Sequence, residues 1–183
     1  MISIKERALR IKLLAMDVDG VLTDGRIILG NDGEELKSFN VHDGLGITLA
    51  HKAGLRTAII TGRESEIVRR RGAELKIVDI HQKVSNKDLC IQNLLAKYNL
   101  RIEEVAFIGD DLNDVPLFLK VGLAVTVADA MPEAKQYTHL KTKAKGGCGA
   151  VRELITYILK EQGKWDQLVE GYVQSPSHMA VRQ

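Results

Sequence analysis

Cysteine is scarce in this chain of 183 residues: there are two, Cys90 and Cys148. Neither belongs to a Cys-x-x-Cys pair or lies near a histidine at metal-ligand spacing, which argues against a zinc site. Both read as ordinary thiols of a reducing compartment. Long apolar runs are missing too, since no uncharged stretch approaches the roughly 20 residues needed to cross a bilayer. The start, Met1-Ile-Ser-Ile-Lys-Glu-Arg, reaches charge too early for a signal peptide. The expected location is the cytoplasm, with no membrane partner. Charge of one sign is also lacking, and a formal net charge of +2 creates no field that would draw nucleic acid. Arg69-Arg70-Arg71 has no interleaved aromatics and reads mostly as a solvated helix face. There is no internal repeat and no low-complexity tract.

What is present describes a globular domain. Apolar residues make up 45% and charged residues 27%, a balance that excludes disorder as the dominant state. Short apolar runs recur at Leu13–Met16, Thr57–Ile60, Ile77–Ile80, Val105–Ile108 and Leu123–Val127. They lack polar alternation, as expected of parallel strands covered on both faces. Between them lie helical patterns. Ser85 is placed to cap a helix running through Leu89, Leu94, Leu95 and Tyr98. Val151, Leu154, Ile155, Ile158 and Leu159 form an amphipathic stripe that reads as core packing. Alternating strands and helices imply an α/β fold, a doubly wound, Rossmann-like parallel sheet.

One segment interrupts that alternation. Residues 25–41 hold two short apolar-containing stretches around Gly30-Asn-Asp-Gly33, the chemistry of a tight turn, so a β-hairpin is predicted there. A single domain over 1–163 is expected, followed by an irregular polar tail over 164–183.

Polar residues gather at three of the predicted strand ends, where open α/β sheets collect ligands. They are Asp17-Val-Asp19-Gly-Val, Thr61-Gly-Arg63 and Gly109-Asp110-Asp111-Leu-Asn-Asp114, and Lys87 opens the helix before the third. Carboxylates at two strand ends repel one another unless a cation lies between them. Oxygen ligands without histidine or cysteine favour Mg²⁺. Such an ion lets Asp17 attack a phosphate, one anion on another. Asp19 is spaced to protonate the leaving oxygen and then activate water. Thr61 offers a hydroxyl and an N–H to phosphoryl oxygens, and Lys87 a positive charge. Each element alone is weak, because an Asp-x-Asp at a strand end often only caps a turn. Their joint order is what carries the reading.

In that order the four segments resemble the motifs of the haloacid dehalogenase superfamily of phosphatases. The resemblance implies Asp17 as nucleophile and Asp19 as acid/base. It implies a metal held by the Asp17 carboxylate, the Asp19 carbonyl and Asp110, with Asp111 and Asp114 nearby. Asp17 and Thr61 are 44 positions apart and Thr61 and Lys87 are 26, which leaves no room for a cap domain. Further segments, Asn40-Val-His-Asp-Gly44 and Gly146-Gly-Cys-Gly-Ala-Val-Arg-Glu153 among them, resemble the capless phosphatases of 3-deoxy-D-manno-octulosonate 8-phosphate in lipopolysaccharide synthesis. That family implies a homotetramer and an acid sugar phosphate held by Asp19, Asn40, Val41, His42, Asp43, Gly44, Arg63, Arg71 and Lys87. Thr48 and His42 stand where family members carry arginines, which leaves a nine-carbon ulosonate 9-phosphate open as an alternative substrate. Two other classes also stand beside this reading, a non-catalytic oligomerisation domain and a phosphoacceptor signalling domain. In the latter the phosphorylated Asp follows the third strand rather than the first.

Overall fold

The structure, a computed structural model, describes residues 2–174. Its centre is a six-stranded parallel sheet of β1 (Leu13–Met16), β4 (Arg56–Ile60), β5 (Asp79–His81), β6 (Val105–Gly109), β7 (Leu123–Thr126) and β8 (Leu140–Lys141). The strand order is β5-β4-β1-β6-β7-β8. From β1 the chain winds outward to β4 and β5, then returns to β6 on the other side of β1. That reversal puts the switch point of the doubly wound sheet beside β1, the place where such sheets bind ligands.

The period-2 geometry of strands explains the two cores. Leu14 and Met16 of β1 face one hydrophobic cluster with Ile59, Ile108 and Val125. Leu13 and Ala15 face the other, with Ala58, Ile60 and Phe107. All four β1 residues are fully buried; each large side chain so removed from water contributes about 1.5–3 kcal/mol. Helices α1 (Ile4–Arg10), α2 (Val41–Lys52) and α7 (Ala150–Glu161) cover the first face. The predicted stripe from Val151 to Leu159 is the buried side of α7. Helix α4 (Lys87–Tyr98) and the short α5 (Val115–Phe118) cover the second face, with Phe107 and Phe118 in tilted contact at 5.6 Å between ring centroids. Two further helices are α3 (Glu66–Glu74) and α6 (Pro132–Lys135).

The hairpin forms, but it is shorter than predicted. Its strands, β2 (Ile28–Leu29) and β3 (Glu35–Leu36), have two residues each. Ile27, Ile28, Leu29 and Leu36 are exposed on it, whereas Phe39 packs against the main core. Three more differences concern helices and edges. Asn86 rather than Ser85 caps α4, accepting from the Leu89 N–H at 3.1 Å. The two-residue β8 has no counterpart in the predicted strands. The stretch after Gly163, expected to be irregular, forms helix α8 (Trp165–Gln174), with Trp165 and Leu168 resting on the core. The expected tail beyond it, from Ser175, lies outside the described residues. Among the described residues no helix is long and apolar enough to cross a membrane.

Candidate active site

Asp17 follows β1 directly, Thr61 follows β4 and Asp110 follows β6. β1 pairs with both β4 and β6, so adjacency of these strands brings the three residues together. Lys87 reaches them from the first position of α4. Its ammonium is buried and donates to Asp17 Oδ2 at 2.5 Å and to Asp114 Oδ1 at 2.6 Å. The other Asp17 oxygen accepts from the Val18 N–H at 2.6 Å. Asp114 Oδ2 accepts from the amides of Asp110 at 2.9 Å and Asp111 at 3.4 Å. Asp114 fits beneath that turn only because residue 109 is glycine: a β-carbon there would lie 2.2 Å from its carboxylate.

Asp110 differs from its neighbours. Its carboxylate accepts no hydrogen bond from any described residue, and it shares a 4.8 Å cluster with the oxygens of Asp17 and Asp114. Burial, and then the charges of Asp114, Asp17 and Asp111, push its carboxyl up to about 7. Burial also pushes Asp17 up to about 6, against the opposing pull of Lys87. Burial alone would lower the Lys87 ammonium, but the charges of Asp17 and Asp114 outweigh it and raise it. One ammonium is thus shared by two carboxylates while a third has none. Three clustered acids with a single cation leave room for a hard divalent ion, and all-oxygen donors suit Mg²⁺. The turn after Asp19 presses on this place: Gly20 adopts φ +84°, and a β-carbon there would fall 2.1 Å from Asp110 Oδ2. Both oxygens of Asp114 are engaged, one by Lys87 and the other by the amides of the Asp110 turn, whereas the Asp110 carboxylate accepts from no described residue.

The predicted substrate contacts divide. Arg63 is exposed and bonds Glu35 Oε1 at 2.9 Å, with its Nε 3.7 Å from Asp19 Oδ2. Val41 and His42 are exposed at the start of α2. Asn40 caps that helix through the His42 N–H at 2.8 Å. Arg71 lies against Gly44: a β-carbon on Gly44 would come 2.6 Å from an Arg71 terminal nitrogen, and Arg71 Nε is buried without a partner. Asp43 is buried, and its oxygens accept from the N–H groups of Gly149 at 3.2 Å and Arg152 at 2.7 Å, at the start of α7. Thr48 donates to Gly44 O within its own helix at 3.2 Å.

Sequence reasoning missed Lys37 and Glu35. Lys37, just past β3, turns inward and bonds Asp19, and Glu35 bridges Lys37 and Arg63. The signal was the alternation Glu35, Leu36, Lys37, which puts the two charged residues on one face and leucine on the other.

Comparisons with known proteins agree with this architecture. Residues 59–154 match the model of the haloacid dehalogenase-like hydrolase family. The chain is 49% identical over 165 residues to 3-deoxy-D-manno-octulosonate 8-phosphate phosphatase KdsC of Salmonella typhi, covering 88% of this chain and 86% of that protein. It is also similar to the crystal structure of the Yersinia pestis 3-deoxy-D-manno-octulosonate 8-phosphate phosphatase, with a TM-score of 0.88 and 46% identity over 89% of this chain and 88% of the other. The Moraxella catarrhalis phosphatase of that name, solved in complex with a magnesium ion, a phosphate ion and a KDO molecule, gives a TM-score of 0.90 at 39% identity, covering 92% and 97%.

Proposed function

Because the chain belongs to the haloacid dehalogenase-like hydrolases, and among them to the 3-deoxy-D-manno-octulosonate 8-phosphate phosphatases, we propose that it hydrolyses that acid sugar phosphate through an aspartyl-phosphate on Asp17. It is a phosphoric monoester hydrolase that uses Mg²⁺. The observation that carries the assignment of roles is the charge imbalance at the strand ends, with Lys87 shared by Asp17 and Asp114 while Asp110 has no donor. Asp17, Asp110 and the Asp19 carbonyl would hold the metal, which when bound would neutralise charge so that a carboxylate can approach a phosphate.

The chain's own groups do the rest. Asp17, fixed by the Val18 N–H and Lys87, attacks phosphorus as the bond to the sugar oxygen breaks. Asp19 gives that oxygen its proton, then takes one from the water that hydrolyses the aspartyl-phosphate. Lys87 and Thr61 face the negative charge that accumulates on the phosphoryl group. Arg63, Arg71 and the start of α2, Asn40 to Gly44, where Val41 and His42 are exposed, recognise the sugar acid, since guanidinium forks match carboxylates. Asp43 contributes to this by holding α2 against α7. The enzyme works in the cytoplasm, in lipopolysaccharide synthesis.

A homotetramer is part of this reading. A two-stranded hairpin is marginal in water, and open edges invite pairing with another chain. Here Leu29 is 69% exposed and Leu36 56% exposed. Four hairpins closing on one another would bury these residues and bring a neighbouring subunit over the capless site. Sedimentation of Ile28→Asp/Leu29→Asp should then show dissociated subunits with reduced turnover; a fully active monomer would refute the assembly. For the activity itself, phosphate release from the eight-carbon and nine-carbon ulosonate phosphates is compared with and without chelator. Release from the eight-carbon ester, abolished by chelator and restored by Mg²⁺, is expected. A preference for the nine-carbon ester would overturn the substrate assignment.

A further inference from the structure

Lys37 has a buried ammonium that the roles above do not use. Its side chain is 1% exposed, it donates to Asp19 Oδ1, and Glu35 Oε1 lies 3.4 Å away. A lysine stem seldom buries completely; here two carboxylates offset the desolvation of the ammonium. The hairpin alternates about this contact, with Leu36 outward and Glu35 and Lys37 inward. Asp19 Oδ2, by contrast, accepts no hydrogen bond from a described residue, and Arg63 Nε lies 3.7 Å from it, beyond hydrogen-bond distance.

We propose that Lys37 is a positioning residue that dedicates one oxygen of Asp19 to proton transfer, so that the hairpin orients the acid/base of the reaction. The inference rests on Asp19 being that acid/base. An ammonium is a donor only, so the oxygen it bonds serves as acceptor. Oδ1 is thereby occupied in both protonation states, and the proton resides on Oδ2. As the bond from phosphorus to the sugar oxygen breaks, Oδ2–H passes its proton to that oxygen and keeps the electron pair. In the second half Oδ2 takes a proton from water while the water oxygen bonds phosphorus and the bond to Asp17 breaks. Without Lys37 the two oxygens are interchangeable and the carboxyl rotates, so the proton is misaligned for much of the time. The contact also explains why a hairpin whose outer face is apolar carries an inward lysine.

The test uses two esters that differ in their need for a proton. The sugar phosphate leaves as an alkoxide and needs one, whereas p-nitrophenyl phosphate leaves as a stabilised phenolate and does not. The quantity to read is kcat/KM, which ends at the first irreversible step, the loss of the leaving group. For Lys37→Met, kcat/KM on the sugar phosphate should fall about 100-fold, while the aryl ester loses less than about threefold. Lys37→Arg, which keeps the charged donor, should recover most of the loss. Sedimentation establishes that the variants assemble like the parent protein. Should Lys37→Met be insoluble, Lys37→Ala, which likewise has no side-chain donor, carries the same comparison. Equal losses on both esters would reduce Lys37 to a structural role and overturn the proposal, as would no loss on either. A parent protein that cleaves the aryl ester but not the sugar phosphate would overturn the substrate assignment instead, and any simple alkyl phosphate it cleaves then serves as the proton-demanding ester.

Discussion

Asp43 and Asp110 are two carboxylates in the same molecule, both pushed up first of all by burial. Asp43 sits where α2 meets α7 and receives two N–H groups from the first turn of α7, so its charge is spent on closing a helix end. Asp110 sits at the end of β6 and receives none, while three other carboxylates raise it further. One carboxylate is a structural clamp, and the other accepts from no described residue. Asp43 is buried and Asp110 half-buried, and residue type does not separate them; the partners of each oxygen do.

The largest effect that sharpens this contrast is at the strand ends. Asp17→Asn should lower phosphate release by at least about 10³-fold while leaving the thermal midpoint unchanged or higher, since it removes a buried charge. Phosphate assays and calorimetry on one preparation check both. At Asp110, substitution by Asn should raise the Mg²⁺ concentration for half-maximal activity by about 100-fold or more, again without loss of the metal-free fold. An Mg²⁺ titration of turnover reads it, and an unchanged requirement would break the comparison. Asp43→Ala should behave the opposite way. It leaves two helix-end donors unpaired and should cost about 2 kcal/mol, lowering the midpoint by about 5 °C whether or not metal is present.

The smallest effect is on pH dependence. Folded Asp17 and Asp110 hold protons up to about 6 and about 7, whereas an unfolded aspartate releases its proton near 4. They favour the metal-free fold at low pH, and that contribution is lost as pH rises from about 4 through about 7. Metal displaces those protons, so the rise in midpoint on adding Mg²⁺ should be larger at pH 8 than at pH 5. A gain that does not change with pH would mean that the metal binds elsewhere.

Much of this was legible in the sequence because strand ends write local signals. Asp17, Thr61 and Asp110 each follow an apolar run, and their order resembles one family's motifs, so sheet and site could be read together. The motif that holds Asp43 is local and legible, while the amides it accepts from come from more than a hundred residues away. The clasp of Lys37 on Asp19 is likewise tertiary. Strand β8 has two residues, too few for any period to register. Helix α8 was overlooked although Trp165, Leu168, Val169 and Tyr172 follow helical spacing; Gly163, Gly171 and the Ser175-Pro176 sequence read as breaks.

The central claim is that Asp17 carries the phosphoryl group between two steps that Asp19 serves. Asp19→Asn with p-nitrophenyl phosphate separates those steps, because the first then needs no acid while the second still needs a base. Rapid acid quench should show a burst of one nitrophenolate per subunit, followed by slow turnover, with the phosphoryl group on the peptide containing Asp17. Steady release of nitrophenolate without a burst, and with Asp17 unmodified throughout, would contradict the account.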